Sequence, residues 1–441
     1  MLTDLYQLTM NAAYHDNKKD DNATFELFVR KLPKDWGYFI ANGIEDAVDY
    51  ATNTRFTEQD IFYLGQQKLF KPEFLDFLRG FRFNGEIYAV KEGTPVAPNT
   101  PIMRVRGKRT QAQLLETMLL NTINFQTMIA SKASRVVNAA NPASVVEFGL
   151  RRAQEMDAAL TGARAAYIAG AKSTSNVLAG REYGIPISGT QAHSFVMSFP
   201  NELEAFRAYT NTFPENATLL IDTYDTLQGA KNAAIVAKEL EAKGKRLGAV
   251  RLDSGDLVDL SKKVRQVLDE QGLNYVKIFA SNDLNEYKIE EMKNSGARID
   301  GYGVGTEMIT AKPTAAIPGV YKLVEDDAGA KIKLSADKIT FPGAKQVYRQ
   351  TDSNNQFTHD VLALEGEPIQ GIPLLEEFVS DGKRTRHRAN LEEIREYTLG
   401  GVARLPEHAK RLIANPYELK ASPRLNQLVA ELTEKFGGKT K

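Results

Sequence analysis

His193 lies three residues after Thr190 in the run Ser188-Gly189-Thr190-Gln191-Ala192-His193, one of five histidines in a chain of 441 residues with no cysteine. No second histidine stands at metal-ligand spacing and no cysteine is available, which argues against a zinc site there. What remains open to such an imidazole is proton transfer, as acid or base, or service as a phosphoryl acceptor. Arg251 closes an apolar run and opens Arg251-Leu252-Asp253-Ser254-Gly255-Asp256. A guanidinium at the end of a buried strand needs an anion. That anion is either a neighbouring carboxylate such as Asp253 or a ligand carboxylate held in a two-pronged fork.

Two further runs suit phosphate. Gly301-Tyr302-Gly303-Val304-Gly305-Thr306 is glycine-rich, and glycine lets backbone N–H groups close on an anion. Asp253 through Asp256 precedes a helical pattern, whose first N–H groups and dipole also favour anions. The carboxylates there suit ribose hydroxyls or a phosphate-bound Mg²⁺; the alternative is that Asp253 or Ser254 simply caps the helix. The glycine run also invites comparison with a dinucleotide fingerprint, which requires a helix immediately after the glycines. Pro313 and Pro318 follow too soon for a long one.

The elements that would gather these residues recur between about residues 144 and 306. Short β-rich runs end in small or polar residues and are followed by helix-length segments: Ser144–Gly149, Ile185–Gly189, Thr218–Asp222, Leu247–Asp253, Val276–Ser281 and Ile299–Gly305. Such runs read as buried parallel strands of successive βα units. Leu257, Leu260, Val264, Val267 and Leu268 share one helical face. Gly244 and Gly272 give helix-stop signals. Six units in a row point to a β/α barrel, with an open doubly wound sheet as the alternative. In either fold the site forms at the carboxyl ends of the strands. Glu147 with Arg151 and Arg152, Thr190 with His193, Asp222-Thr223-Tyr224, Arg251 through Asp256, Ser281-Asn282-Asp283 and Gly303 through Thr306 would all meet there.

The flanks differ. Residues 86–106 and 331–350 alternate apolar and polar residues between Gly and Pro breaks, which reads as β-hairpins, and the last residues, GGKTK, read as frayed. A smaller strand-rich domain is therefore expected from the N-terminal region, completed by the C-terminal one. The chain carries 56 basic and 56 acidic residues, so no bulk field would hold nucleic acid or an anionic membrane. No apolar stretch approaches the roughly 20 residues that span a bilayer. With no basic region ahead of an apolar run at the N-terminus, a cytoplasmic location is expected.

Taken in order, Thr3-Asp4-Leu5-Tyr6-Gln7-Leu8-Thr9-Met10, Glu147-Phe148-Gly149-Leu150-Arg151-Arg152, Ser188 through Ser194, Arg251 through Leu257, Gly303 through Thr306, Gly319 through Val324 and the PGAKQVYR segment at 342–349 resemble the signature segments of nicotinate phosphoribosyltransferases. The resemblance implies an α/β fold, an irregular β/α barrel joined to a smaller open-faced α/β sandwich. The domains would be residues 1–120, whose opening residues reach the active site, a barrel over 121–330, and a segment over 331–441 that partly completes the first. It implies a homodimer acting on nicotinate, 5-phosphoribosyl 1-diphosphate and ATP with Mg²⁺. Tyr6 and Thr190 would contact nicotinate and Arg251 would bind its carboxylate. Thr306, Gly305, Gly303, Asp253, Ser254 and Gly255, with Glu147, Arg151 and Arg152, would hold the phosphoribosyl diphosphate. His193 would be phosphorylated. The rivals are a barrel enzyme acting on nicotinamide or quinolinate, and a nucleotide-binding protein without turnover.

Overall fold

A computed structural model describes residues 2–334 and 340–437, so part of the hairpin expected over 331–350 and all but the first of the terminal residues expected to fray lie outside the described residues. The chain divides into two compact units: Met1–Ser131 with Ala316–Lys441, and Lys132–Ala315.

The Lys132–Ala315 unit is built on six parallel strands: β1 (Ser144–Glu147), β2 (Ser173–Thr174), β3 (Thr218–Leu220), β4 (Ala249–Leu252), β5 (Lys277–Ala280) and β6 (Gly301–Val304). Their order is β2-β1-β6-β5-β4-β3. The last strand thus returns to the first, with Gly301 opposite Ser144 and Val304 opposite Glu147. This cyclic order is that of a parallel half-barrel, not of a sheet wound outward from a switch point.

One expected strand is different. Ile185–Gly189 forms only a single bridge, Ile187 to Thr174, and the strand beside β1 is the two-residue β2. Pro186 lies in that run and can only accept, as it does from the Thr174 N–H at 3.0 Å.

The helices follow from pattern and capping. Leu257–Glu270 buries Val264 and Leu268, and its N-cap is Asp256, whose carboxylate accepts from the N–H groups of Val258 at 3.0 Å and Asp259 at 3.1 Å. Thr226–Glu241 is capped by Asp225 and buries Ala230, Ala233, Ala237 and Leu240. These faces close on Leu219, Ile221, Val250, Leu252 and Ile278 in one core. Both helices end shortly before Gly244 and Gly272.

The other unit draws strands from both ends of the chain. Its seven-stranded sheet runs Gly329–Ala330, Gly319–Asp326, Asn22–Val29, Met103–Lys108, Glu86–Ala89, Glu376–Ser380, Lys383–Arg384. Every pair in it is antiparallel. Glu86–Ala89 pairs with Met103–Lys108 as the 86–106 hairpin predicts. The strand at Lys345–Thr351 instead takes its partner from beyond the expected segment, at Phe357–Leu364. Among the described residues no helix is long and apolar enough to cross a membrane.

Candidate active site

Arg251 on β4 organises the carboxyl end of the half-barrel. Its Nε donates to Ser281 Oγ at 2.8 Å, Nη1 to Thr190 Oγ1 at 2.9 Å and Nη2 to Asp253 Oδ1 at 2.9 Å. The Phe148 ring lies 5.6 Å from the guanidinium carbon. A guanidinium has five N–H donors; three are used here, which leaves one on each terminal nitrogen. The side chain is 18% exposed, so the unused pair remains within reach of solvent. Of the two partners open to Arg251 on sequence grounds, the neighbouring carboxylate is therefore present, without exhausting the fork.

Asp253 is shared. Its Oδ1 also accepts from the Ser281 hydroxyl. Its Oδ2 faces His193 Nε2 at 3.8 Å. His193 begins the short helix His193–Met197, and its Nδ1 is 3.1 Å from Thr223 Oγ1. Neither Asp253 nor Ser254 caps the following helix, since Asp256 does. Instead Asp222 Oδ2 accepts from the Asp253 N–H and from Ser254 Oγ, both at 2.7 Å. Gly255 makes the turn with φ +78°, a conformation that favours glycine. Thr190, His193, Arg251, Asp253 and Ser254 thus form one connected network.

The glycine run divides by role. A Cβ on Gly301 would meet the Phe279 ring at 2.3 Å and one on Gly303 the Phe148 ring at 2.5 Å. Two of the three glycines therefore make room for aromatic rings, and Gly303 acts on the site through Phe148. Gly305 caps a helix of only four residues, Thr306–Ile309. Such a stub is too short for a dinucleotide fingerprint.

Glu147 is 1% exposed. Its Oε2 accepts from Thr174 Oγ1 at 2.6 Å and its Oε1 from the Gly149 N–H. Burial holds this carboxyl above the usual carboxylate range, and those two hydrogen bonds pull it partly back. Both of its oxygens are taken up by protein donors. It fixes the start of the loop carrying Arg151 and Arg152, both exposed, neither with a side-chain partner among the described residues.

Tyr6 belongs to the other unit, half-exposed on helix Leu5–Asp16. Burial and then the nearby Glu116 carboxylate push its phenol up to about 12.

Thr223, Asp222 and Ser281 were visible in the sequence only as members of polar strand ends. Thr174 was not visible, because two residues show no periodicity. Among the described residues no group of three or more acidic, histidine or cysteine side chains could hold a metal unaided. Asp222 Oδ1, however, is buried with no hydrogen-bond partner. Mg²⁺ is commonly held by one or two carboxylates plus substrate phosphates, and this oxygen fits that pattern.

Family profiles described as the nicotinate phosphoribosyltransferase N-terminal domain, family and C-terminal domain match residues 1–124, 143–323 and 368–429. The chain is 44% identical over 415 residues to nicotinate phosphoribosyltransferase pncB2 of Mycobacterium tuberculosis, covering 93% of this chain and 89% of that protein. It is 45% identical over 392 residues to the nicotinate phosphoribosyltransferase of Bacillus subtilis, covering 87% and 78%. The solved human nicotinic acid phosphoribosyltransferase superposes with a TM-score of 0.87 at 30% identity, covering 98% of this chain and all of that one.

Proposed function

This chain belongs to the nicotinate phosphoribosyltransferase family, and on that premise we propose that it joins nicotinate to 5-phosphoribosyl 1-diphosphate with ATP coupled through a phosphohistidine at His193. The products are nicotinate mononucleotide and diphosphate, a step of NAD biosynthesis. One observation carries the coupled reading: Asp253 links the two reacting regions, with one carboxylate oxygen on Arg251 and the other 3.8 Å from the His193 imidazole.

Arg251 takes the nicotinate carboxylate on its two unused N–H groups. Nicotinamide offers no anion there and would leave a desolvated guanidinium under-paired, a loss of a few kcal/mol. Thr190 holds Arg251 in place, and the family resemblance adds Tyr6 as a nicotinate contact. The pyridine nitrogen attacks the anomeric carbon as the bond to diphosphate breaks, so orientation of both reactants and neutralisation of the leaving charge carry the rate. Arg151, Arg152, Ser254 and the turns at Gly255 and at Gly303, Gly305 and Thr306 supply cationic and N–H donors to the phosphates, while Glu147 supports that loop from below. Mg²⁺ bound at Asp222 and the diphosphate would add charge neutralisation. In the coupled step the γ-phosphoryl group passes from ATP to an imidazole nitrogen, ADP leaves, and water later releases phosphate. The resemblance further supports an irregular barrel with an open-faced sandwich, and a cytoplasmic homodimer.

The test is to incubate the enzyme with γ-labelled ATP. An acid-labile, base-stable label is expected on the wild type and absent from His193→Asn; equal labelling of the two removes the phosphohistidine.

A further inference from the structure

We propose that Ser281 is a positioning residue that sets the preference for an acid substrate. This rests on Arg251 being the group that receives the nicotinate carboxylate. Three anchors hold the guanidinium, one on each nitrogen: Ser281 on Nε, Thr190 on Nη1 and Asp253 on Nη2. Ser281 also grips a second anchor. Its hydroxyl donates to Asp253 Oδ1 while its lone pair accepts from Arg251 Nε at 2.8 Å. A hydroxyl can do both at once, so Ser281 ties the cation and its carboxylate into a closed triangle.

Nε is the pivot of the guanidinium plane. With Nε held, the two spare N–H groups keep a fixed direction, and a planar carboxylate can meet both. Without Ser281, Nε loses its acceptor at a position only 4% exposed, and the fork is free to turn toward Asp253. The backbone supports this placement. Ser281 directly follows β5, with its N–H donating to Leu252 O at 2.9 Å. The chain then turns through Asn282 and Asp283 at φ +94° and +44°, two consecutive non-glycine residues in the left-handed region. Such conformations persist where the surroundings over-determine them.

The test is steady-state kinetics on full-length wild type, Ser281→Ala, Ser281→Thr and Arg251→Ala, varying nicotinate and phosphoribosyl diphosphate separately. Ser281→Ala is expected to raise the nicotinate KM about tenfold, as loss of a hydrogen bond to a charged group does. Its kcat and phosphoribosyl diphosphate KM should stay close to wild type, and Ser281→Thr should restore most of the nicotinate KM. A purely structural serine would shift both KM values together, and that result overturns the proposal. So does an unchanged nicotinate KM in Ser281→Ala when Arg251→Ala raises it. If Arg251→Ala itself leaves the nicotinate KM unchanged, the carboxylate reading of Arg251 fails first. Should the alanine variant not fold, as judged by circular dichroism, Ser281→Cys keeps the volume with a far weaker donor and takes the same measurement.

Discussion

Arg349 and Arg251 each pair with an aspartate at hydrogen-bond distance, in different units of the chain, yet they are built for different ends. Arg349 meets Asp360 with both prongs, Nε to Oδ1 at 2.9 Å and Nη2 to Oδ2 at 2.8 Å, and adds a bond to Pro95 O at 2.6 Å. The Phe357 and Tyr417 rings flank it at 4.4 and 5.6 Å, and Tyr417 donates to the same Asp360. The side chains are 3% and 0% exposed. Arg251 meets Asp253 with one prong only, sharing its other contacts with two hydroxyls. A two-pronged pair walled by rings is closed to any ligand. A one-pronged pair that keeps some exposure is unfinished, and an unfinished, partly exposed cation is what a substrate anion can complete.

Breaking each pair should therefore show up in different measurements. Arg349→Ala leaves Asp360 buried and uncompensated, which costs about 3–5 kcal/mol of stability. Denaturant unfolding should register that loss, while the KM values of the folded fraction stay put. A loss under about 1 kcal/mol, the range of exposed pairs, would break the contrast. Arg251→Lys should do the reverse. The charge stays but the fork is gone, so the nicotinate KM rises about tenfold with little change in unfolding midpoint. A nicotinate KM equal to wild type would mean that charge alone, without the planar fork, suffices.

How much of this was legible in the sequence varies with the physics that determined each part. The βα rhythm over residues 144–306 was readable because every strand but Ser173–Thr174 is a short apolar run with a polar end. The exchange of Ile185–Gly189 for Ser173–Thr174 was not, because which edge segment pairs depends on a sheet closing in space. Thr190, His193, Arg251, Asp253 and Ser254 were all readable as polar residues at strand ends, and they do meet. The crowding at Gly301 and Gly303 was not legible at all. A glycine chosen for φ and one chosen to admit a ring look alike until Phe279 and Phe148 are placed. Ser281 and Thr223 were legible only as polar residues, since a hydroxyl's role lies entirely in its partners.

Glu147 gives the smallest expected effect and the finest division between a closed and an open group. Its carboxyl is held above the usual carboxylate range, chiefly by burial. Over the pH interval between its unfolded and folded values, the folded state therefore binds more protons than the unfolded chain. Stability from this group is full below the unfolded value and declines as pH climbs through the folded one. Glu147→Gln removes the ionisation but keeps the shape: the amide oxygen can accept from the Gly149 N–H and the amide nitrogen can donate to Thr174 Oγ1, the two groups Glu147 now serves. The variant should gain stability relative to wild type as pH rises, in unfolding curves run at pH 5 and at pH 8. Its KM for phosphoribosyl diphosphate should match wild type, because the carboxylate acts on the loop and not on the ligand. A stability difference flat across that range, together with a raised phosphoribosyl diphosphate KM, would show Glu147 working as an ionised group facing substrate, and would move it from the closed class to the open one beside Arg251.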